Sequence, residues 1–324
     1  MPIRWGLIGC GDVARKRVAA ALSEAPNSQL VSACRRDEAK LNEFCATFGV
    51  ARAYTRDEEL LADNDIDAVY IATPVCHHRR QTQAAAKAGK HVLVEKPMGM
   101  SVEDCDDMID ACARHRVKLG VAYYRRFYPA VRRMAELLEQ GAIGAPMAAT
   151  VVTATAPAIY PEEEGSWRVR LEEGGGGALM DIGSHRINLL LHLLGDAVEV
   201  TACCGNVDSR YEAEDCASLV LTFTSGIQAT VQCLFGPARD PDFFSIVGTE
   251  GRITSAPLNG GELVIERGGG RSVESLPPHA NFCTPLVADF VSAIREDRQP
   301  LVSGEEGRLT NVVMQYAYQD ALAR

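Results

Sequence analysis

The 324-residue sequence lacks long hydrophobic runs and an excess of basic residues. No apolar run approaches the roughly 20 residues that a membrane-spanning helix needs, so we expect no contact with a membrane. With 33 Lys and Arg against 43 Asp and Glu, the formal net charge is −10, which argues against nucleic acid as a partner. The N-terminus enters a predicted strand at Ile3, leaving no room for a signal peptide, and this predicts a cytoplasmic protein.

The cysteines also lack a functional pattern. There are 11 of them, an odd number, with no C-x-x-C pair and no spaced set of Cys and His. Adjacent Cys203 and Cys204 would point to opposite faces of an alternating strand and would make a poor zinc chelate. Most of the others lie in apolar runs, where cysteine packs as a small hydrophobic residue. The sequence therefore predicts no metal site and a reducing compartment.

The first part of the chain alternates regularly between predicted strands and helices. Val- and Ile-rich strands separated by helices are typical of a parallel, doubly wound α/β sheet. We predict that such a sheet forms a first domain over residues 1–121. Its strands are expected at 3–8, 29–34, 67–72, 91–95 and 118–122, and its helices at about 12–23, 38–48, 80–88 and 101–115.

The pattern changes in the second part, which we predict to be a second domain over residues 122–324. A strand is predicted at 217–224, where Leu219, Leu221 and Phe223 alternate with Ser218, Thr222 and Thr224. A Ser225–Gly226 turn follows, and the pattern indicates a sheet with one covered face. Helices at about 178–194, 286–297 and 305–322 are also expected, and the last two should pack back on the first domain. Further strands are predicted at 147–155, 198–207, 227–235, 243–247 and 263–266.

A glycine motif joins the first predicted strand to the first predicted helix, which is the context that a dinucleotide-binding loop requires. Gly9 permits the tight turn, Gly11 lets the backbone approach a pyrophosphate, and Ala14 allows close packing of helix and strand. The backbone N–H groups at the helix start, including Asp12 and Val13, would then face the phosphates. We expect a bound nicotinamide dinucleotide.

The end of the second strand bears on which dinucleotide is bound. An NAD site usually places an acidic residue there for the ribose 2′-hydroxyl, but the sequence reads Cys34-Arg35-Arg36. Arg35 follows Ala14 by 21 residues, about where the acid is expected, and its guanidinium could bind a 2′-phosphate in a bidentate pair. This favours NADP. The alternative is a solvated arginine, with Asp37 contacting the ribose of NAD.

Three further residues carry acid–base chemistry. Lys96 follows the fourth strand in Glu95-Lys96-Pro97, where the proline restricts the turn. Asp181 and His185 are spaced i and i+4, so they share one face of a predicted helix. Histidine is the side chain best suited to accepting a hydroxyl proton near neutral pH. An ordinary surface lysine and a structural Asp–His pair are the alternative interpretations.

The predicted loop over residues 156–173 precedes the helix that carries Asp181. It contains Tyr160, Trp167, Arg168 and Arg170. Trp167 suits stacking on a sugar ring, and Arg168 suits an anionic group. A role in anchoring the loop explains both residues equally well.

Five motifs occur in order along nearly the whole chain. They are Gly9-x-Gly11-x-x-Ala14, Ala72-Thr73-Pro74-x-x-x-His78, Glu95-Lys96-Pro97, Tyr123-x-Arg125-Arg126-Phe127 and Gly175-Gly176-Gly177-x-Leu179-x-Asp181-x-Gly183-x-His185. Together they resemble the glucose–fructose oxidoreductase, inositol dehydrogenase and rhizopine-catabolism family (Gfo/Idh/MocA). The resemblance implies an NAD(P)-binding Rossmann domain over residues 1–121. It also implies that residues 122–324 form an α/β domain for substrate binding and oligomerisation, with a large, mostly antiparallel sheet whose exposed face often forms a dimer.

The resemblance also implies roles for individual residues. It makes Lys96, Asp181 and His185 the catalytic group, with the Lys96–Pro97 bond commonly cis. It adds residues of the other motifs to the expected sites: Thr73, Pro74, His78 and Glu95 for the cofactor, and Tyr124 and Arg125 for the substrate. Val75 and Tyr124 each stand where asparagine is common in the family, so the usual sugar contacts do not transfer directly.

The function that follows is an NADP-preferring oxidoreductase acting on a secondary alcohol or ketone of a sugar, cyclitol or polyol. The expected assembly is a homo-oligomer, either a dimer or a tetramer, formed through the C-terminal sheet. Two alternatives remain. One is an enzyme of the same kind acting on a non-sugar carbonyl or a trans-dihydrodiol. The other is a non-catalytic, NADP-binding regulator on the same fold.

Overall fold

The computed structural model describes residues 1–155, 166–207, 211–239 and 241–323. The chain forms two compact units, each built from two separate segments. The first unit consists of Met1–Tyr124 and Ala280–Arg308, and the second of Arg125–His279 and Leu309–Arg324. The main division therefore falls after Tyr124, whereas the sequence predicted it after residue 121.

The first unit contains a parallel sheet of six strands within the described residues. They are β1 (Ile3–Ile8), β2 (Ser28–Cys34), β3 (Arg52–Tyr54), β4 (Ala68–Ile71), β5 (His91–Val94) and β6 (Leu119–Val121). Their order is β3-β2-β1-β4-β5-β6, and every neighbouring pair is parallel. Successive strands are added on one side of β1 up to β3 and on the other side from β4 onward. This change of side creates a crevice at the carboxyl ends of β1 and β4. This confirms the predicted doubly wound parallel sheet.

The helices of this unit begin and end at recognisable signals. Asp37 caps the helix that begins at Glu38, because its side chain accepts the Lys40 N–H at 3.0 Å. Gly49 ends the same helix at φ +66°. The Ser101 hydroxyl accepts the Asp104 N–H at 3.1 Å and so caps the helix that begins at Val102. The helices are α1 (Ala19–Glu24), which continues a π-helical turn at Ala14–Val18, α2 (Glu38–Phe48), α3 (Asp57–Leu61), α4 (His78–Lys87) and α5 (Val102–His115).

The second unit contains an eight-stranded sheet over the described ranges. Its strands are β7 (Pro146–Thr155), β8 (Ala197–Gly205), β9 (Cys216–Phe223), β10 (Gln228–Phe235), β11 (Phe243–Gly248), β12 (Gly251–Ser255), β13 (Glu262–Arg267) and β14 (Gly270–Ser275). The order is β14-β13-β12-β11-β7-β10-β9-β8. Only the β7–β10 pair is parallel among these neighbours. The large, mostly antiparallel sheet is therefore confirmed.

One face of this sheet is covered and the other is open. Along β9, Leu219 and Leu221 are buried, while Ser218 and Val220, which alternate with them, are exposed. The Ser225–Gly226 turn that joins β9 to β10 has Gly226 at φ +84°, a backbone conformation that glycine adopts at little cost. The alternation predicted from the sequence is present.

The remaining helices lie outside the two sheets. The second unit contains α6 (Pro129–Glu139), α7 (Leu171–Gly174) and α8 (Ser184–Leu194), with a π-helical turn at Leu179–Gly183 leading into α8. In the first unit, α9 (Thr284–Arg295) packs near β1, because the rings of Trp5 and Phe290 are 5.7 Å apart. The last helix, α10 (Gly304–Leu322), begins in the first unit and continues into the second. Over the described ranges, no helix combines the length and apolar composition needed to cross a membrane.

Candidate active site

The glycine loop leaves β1 at the carboxyl edge of the parallel sheet. Gly9 adopts φ +97°, and a Cβ there would lie 2.6 Å from the carbonyl oxygen of Ala72. A Cβ on Gly11 would meet no heavy atom within 4 Å, so the backbone on that side of the loop is open. Ala14 is fully buried against the sheet. The loop therefore fits a pyrophosphate, which needs open backbone followed by the first turn of a helix.

The first helical turn and the end of β2 place charged side chains around this loop. Asp12 pairs with Lys16 at 3.0 Å, and both are exposed. The Arg35 guanidinium donates to the carbonyl oxygen of Cys10 at 2.5 Å, so it lies directly beside the loop, whereas Arg36 is exposed. Asp37 is engaged as the cap of α2, and the bond from the Lys40 N–H lowers the pKa of its carboxyl group.

His78 links the loop that follows β4 to the loop that follows β5. Its Nε2 is 2.9 Å from the carbonyl oxygen of Thr73, and its Nδ1 is 3.1 Å from that of Pro97. The Thr73 hydroxyl donates to the Gln81 amide oxygen at 2.6 Å. His78 is 1% exposed, and burial lowers its pKa to about 4 although the surrounding carbonyl groups act in the opposite direction. A neutral imidazole has one N–H, so it donates to only one of these two carbonyl oxygens, and its buried ring lies between the two loops.

Lys96 lies directly after β5, and the Lys96–Pro97 bond is cis. The carboxylate of Glu95 accepts the Tyr70 hydroxyl at 2.8 Å and the Lys96 backbone N–H at 3.1 Å. Tyr70 is fully buried in β4, and its pKa is raised well above the usual range, chiefly by burial. The backbone at Lys96 is therefore fixed by neighbouring strands of the sheet.

Tyr124, predicted as a substrate contact, also makes contacts within the first unit. Its hydroxyl accepts a hydrogen bond from Arg17 at 3.0 Å, and its ring stacks on Phe282 with centroids 6.0 Å apart. Sequence reasoning missed Arg17, which belongs to the helix following the glycine loop. Val75, the other departure from the family pattern, is buried in a short 3₁₀ turn.

The second unit carries Asp181 and His185 on one continuous helix. Asp181 lies in the π-helical turn, and His185, which is 5% exposed, lies in the first turn of α8. Arg168 Nε is 3.7 Å from Asp181 Oδ2, and its guanidinium lies 4.7 Å from the ring centroid of Trp167. Of the residues singled out in the predicted loop over 156–173, Arg168 therefore lies beside the Asp181 carboxylate and Trp167 lies against the Arg168 guanidinium, whereas Tyr160 lies outside the described residues.

The arginines of the Tyr-x-Arg-Arg-Phe motif have different surroundings. Arg125 donates to the side-chain oxygen of Asn259 at 3.3 Å. Arg126 is buried and donates to Asn188 Oδ1 at 2.9 Å. Because Asn188 is on α8, Arg126 braces the helix that carries His185.

Lys96 belongs to the first unit, and Asp181 and His185 belong to the second. Among the residues that the structure describes, no group of three or more His, Cys, Asp or Glu side chains could hold a metal ion.

Sequence reasoning also missed Glu214, a buried acid whose carboxylate contacts the backbone just before Asp181.

The Rossmann strand order and the open glycine loop define a dinucleotide-binding protein. Residues 3–123 match the family model described as an oxidoreductase family with an NAD-binding Rossmann fold, and residues 131–254 match the GFO/IDH/MocA C-terminal domain. The chain belongs to the Gfo/Idh/MocA oxidoreductase family.

Relatives named for sugar chemistry are similar over most of the chain. A 1,5-anhydro-D-fructose reductase from Ensifer adhaerens is 34% identical, over 94% of this chain and 92% of the relative. A D-xylose 1-dehydrogenase (NADP(+)) from Haloferax volcanii is 30% identical, over 93% and 92%. The crystal structure of an aldose-aldose oxidoreductase from Caulobacter crescentus superposes with a TM-score of 0.91 at 27% identity, over 100% of this chain and 98% of that one.

Proposed function

We propose that this protein moves a hydride between the nicotinamide of NADP and a secondary carbinol carbon of a sugar, cyclitol or polyol. The observation that carries the proposal is the position of Lys96. It directly follows β5, at the carboxyl edge of a Rossmann sheet whose glycine loop is open to a dinucleotide. Similarity to relatives named as a sugar reductase and a sugar dehydrogenase supports the substrate class.

The proposed chemistry uses three side chains. When bound, the nicotinamide supplies or accepts the hydride at C4. His185 accepts the hydroxyl proton during oxidation and returns it during reduction. Lys96 hydrogen-bonds the same substrate oxygen and shares the proton transfer. Asp181 orients these groups, and the Arg168 guanidinium lies 3.7 Å from its carboxylate.

The preference for NADP rests on Arg35. Its guanidinium already lies at the glycine loop through its bond to Cys10, so it is held close to where a bound ribose would lie. Arg36 is exposed next to it and adds positive charge, while Asp37 caps α2. A 2′-phosphate would therefore meet two arginines. The remaining proposed cofactor contacts come from the glycine loop, Thr73, Pro74 and Glu95, whereas His78, which is buried, would act on the cofactor site only by holding the Thr73 loop in place.

The substrate contacts proposed from the second unit are Arg125, Trp167 and Arg168, with Tyr124 contributed by the first. The indole of Trp167 offers a flat apolar face for a sugar ring. The positive charge of Arg168 is partly offset by Asp181, which favours hydroxyl-rich substrates over strongly anionic ones.

We also propose a homo-oligomer, a dimer or tetramer, formed through the open face of the eight-stranded sheet. Val220, Thr230 and Thr150 lie side by side across β9, β10 and β7, and all three are exposed. A flat row of small and β-branched side chains suits the packing of a second sheet. Light scattering reads the assembly directly, and the mass of a single chain would contradict this proposal.

A reducing, cytoplasmic compartment is the setting we propose. Burial raises the pKa of the Cys105 and Cys112 thiols to about 12. Such thiols pack as apolar groups and resist oxidation.

The experiment is a turnover panel monitored by nicotinamide absorbance. It contains an aldose, a ketose, a cyclitol, a polyol and a trans-dihydrodiol, each tested with both cofactors and in both directions. We expect turnover of a sugar or polyol. Lys96→Ala should lower kcat by about 10²- to 10⁴-fold, the usual contribution of a positioned acid–base group, with the cofactor Kd unchanged.

The matched control is Lys87→Ala, which removes an exposed lysine of the same unit. Near-normal turnover by Lys96→Ala would contradict the catalytic role of Lys96. Tight NADPH binding by the wild-type protein, without turnover of any compound, would favour a regulator.

A further inference from the structure

A single residue, Glu214, receives three consecutive backbone N–H groups that precede Asp181. Its carboxylate accepts the Gly177 N–H at 2.8 Å on Oε2 and the Leu179 N–H at 2.9 Å on Oε1. Its carbonyl oxygen accepts the Ala178 N–H at 3.0 Å. The first N–H groups of a helix have no partner within the helix. Here one acid, 35 residues beyond Leu179 along the chain, supplies the acceptors for three of them.

The carboxylate is buried and has a third donor. Glu214 is 7% exposed, and the Tyr318 hydroxyl of α10 donates to its Oε1 at 2.9 Å. Burial raises the pKa of Glu214, and the bonds from Leu179, Tyr318 and Gly177 counteract part of that effect. Desolvating a carboxylate is costly unless its oxygens are well bonded, so these contacts depend on one another.

The glycine run is shaped to admit these two side chains. A Cβ on Gly177 would overlap the carbonyl oxygen of Glu214, and a Cβ on Gly176 would overlap the Tyr318 hydroxyl. These glycines are therefore explained by the close approach of Glu214 and Tyr318 to the backbone. They differ from Gly11, whose surroundings are open.

The position of this contact links it to the reaction. Asp181 follows Leu179 by two residues and His185 follows it by six, on the same continuous helix. Any shift of the first turn is transmitted along the rigid helix to both side chains. The helix also passes through a π-helical turn between these points, a feature often found at functional sites.

We propose that Glu214, held by Tyr318, is a positioning residue that fixes the first turn of this helix and so aligns Asp181 and His185. The inference rests on the proposed function, because it takes these two residues as the catalytic pair. Glu214 does not itself touch the substrate in this account.

The test compares Glu214→Gln with Glu212→Gln. Both changes remove one negative charge, but Glu212 is exposed. Glutamine retains one acceptor oxygen and turns an NH₂ group toward a backbone N–H, so one of the two backbone bonds is lost. We expect kcat to fall about 10- to 100-fold, the factor for losing a hydrogen bond to a charged group. The cofactor KM should stay unchanged, because the glycine loop is in the other unit.

A second readout does not depend on turnover. Hydrogen exchange should accelerate by about 10-fold or more at the amides of residues 177–185 in Glu214→Gln, while the amides of β9 and β10 keep their rates. Tyr318→Phe, which removes only one hydroxyl, should reproduce both effects more weakly. It replaces Glu214→Gln as the deciding variant if that protein does not fold.

The outcomes separate the two proposals. Local acceleration of exchange with an unchanged kcat would overturn the positioning role, as would uniform acceleration across the whole second unit. A wild-type protein that turns over no panel compound would contradict the proposed function instead. In that case the exchange at residues 177–185 still tests whether Glu214 fixes the turn.

Discussion

At the scale of single residues, Gly9 and Gly11 occupy the same loop for different physical reasons. Gly9 is required by the protein, because its φ of +97° and the nearby Ala72 carbonyl leave no room for a side chain. Gly11 faces open space, so nothing in the protein itself requires a glycine there. The need for Gly11 comes from the ligand that the loop binds.

This difference predicts opposite results for two alanine variants. Gly9→Ala should lower the free energy of unfolding by about 1–3 kcal/mol, the usual cost of a strained backbone position. Gly11→Ala should leave stability within about 1 kcal/mol but weaken NADPH binding by roughly 10-fold or more, about 1.4 kcal/mol. Urea denaturation and fluorescence titration measure the two quantities. Normal NADPH affinity in Gly11→Ala would contradict the assignment of the loop.

Arg35 gives the second prediction at this scale. Removing the guanidinium in Arg35→Ala should lower the preference for NADPH over NADH by about 10- to 100-fold, because a hydrogen bond to a charged group contributes roughly 1.5–3 kcal/mol. The variant also loses the bond to Cys10, which would weaken both cofactors alike. The ratio of the two dissociation constants isolates the effect of the 2′-phosphate, and an unchanged ratio would contradict the NADP preference.

At the scale of elements, His78 connects the loops that follow β4 and β5, and it does so as a neutral imidazole. Its pKa is about 4 in the folded protein against an ordinary 6.5. Between these values the unfolded chain binds more protons than the folded one. The contribution of His78 to the free energy of unfolding is therefore fully present above pH 6.5 and is lost as the pH falls toward 4.

The wild-type protein should therefore lose about 2 kcal/mol more stability between pH 7.5 and 5 than His78→Gln does. Urea denaturation at both pH values gives the comparison. His115→Gln, at an exposed position on α5, serves as the control and should behave like the wild type. Equal losses in the wild type and His78→Gln would show that His78 does not carry this pH dependence.

Several elements could be predicted from the sequence because local chemistry defines them. The strands β4 and β5 are short runs of buried apolar residues, and α5 has a serine cap with a matching N–H donor. The sequence did not predict β3, which has three residues, β12, which has five, or β14, which is an exposed edge strand with little apolar pattern. These strands depend on neighbours that sequence periodicity does not reveal.

At the scale of the whole molecule, the ordered motifs identified the fold and the family. Lys96, Asp181 and His185 could be proposed as a group because each belongs to a recognisable motif, although 85 residues separate Lys96 from Asp181. Contacts such as Arg17 with Tyr124 and Glu214 with Gly177 could not be predicted. They join residues 107 and 37 positions apart, and neither partner has a local signature of the other.

The central claim is direct hydride transfer to a sugar-like carbonyl. The most direct measurement incubates the wild-type protein and Lys96→Ala with NADPH carrying two deuterium atoms at nicotinamide C4, together with the aldose and ketose panel. Mass spectrometry then reads the products. The account predicts one carbon-bound deuterium in a sugar or polyol product of the wild type, and almost none with Lys96→Ala. A wild-type protein that binds the labelled cofactor but leaves every compound unlabelled would contradict it.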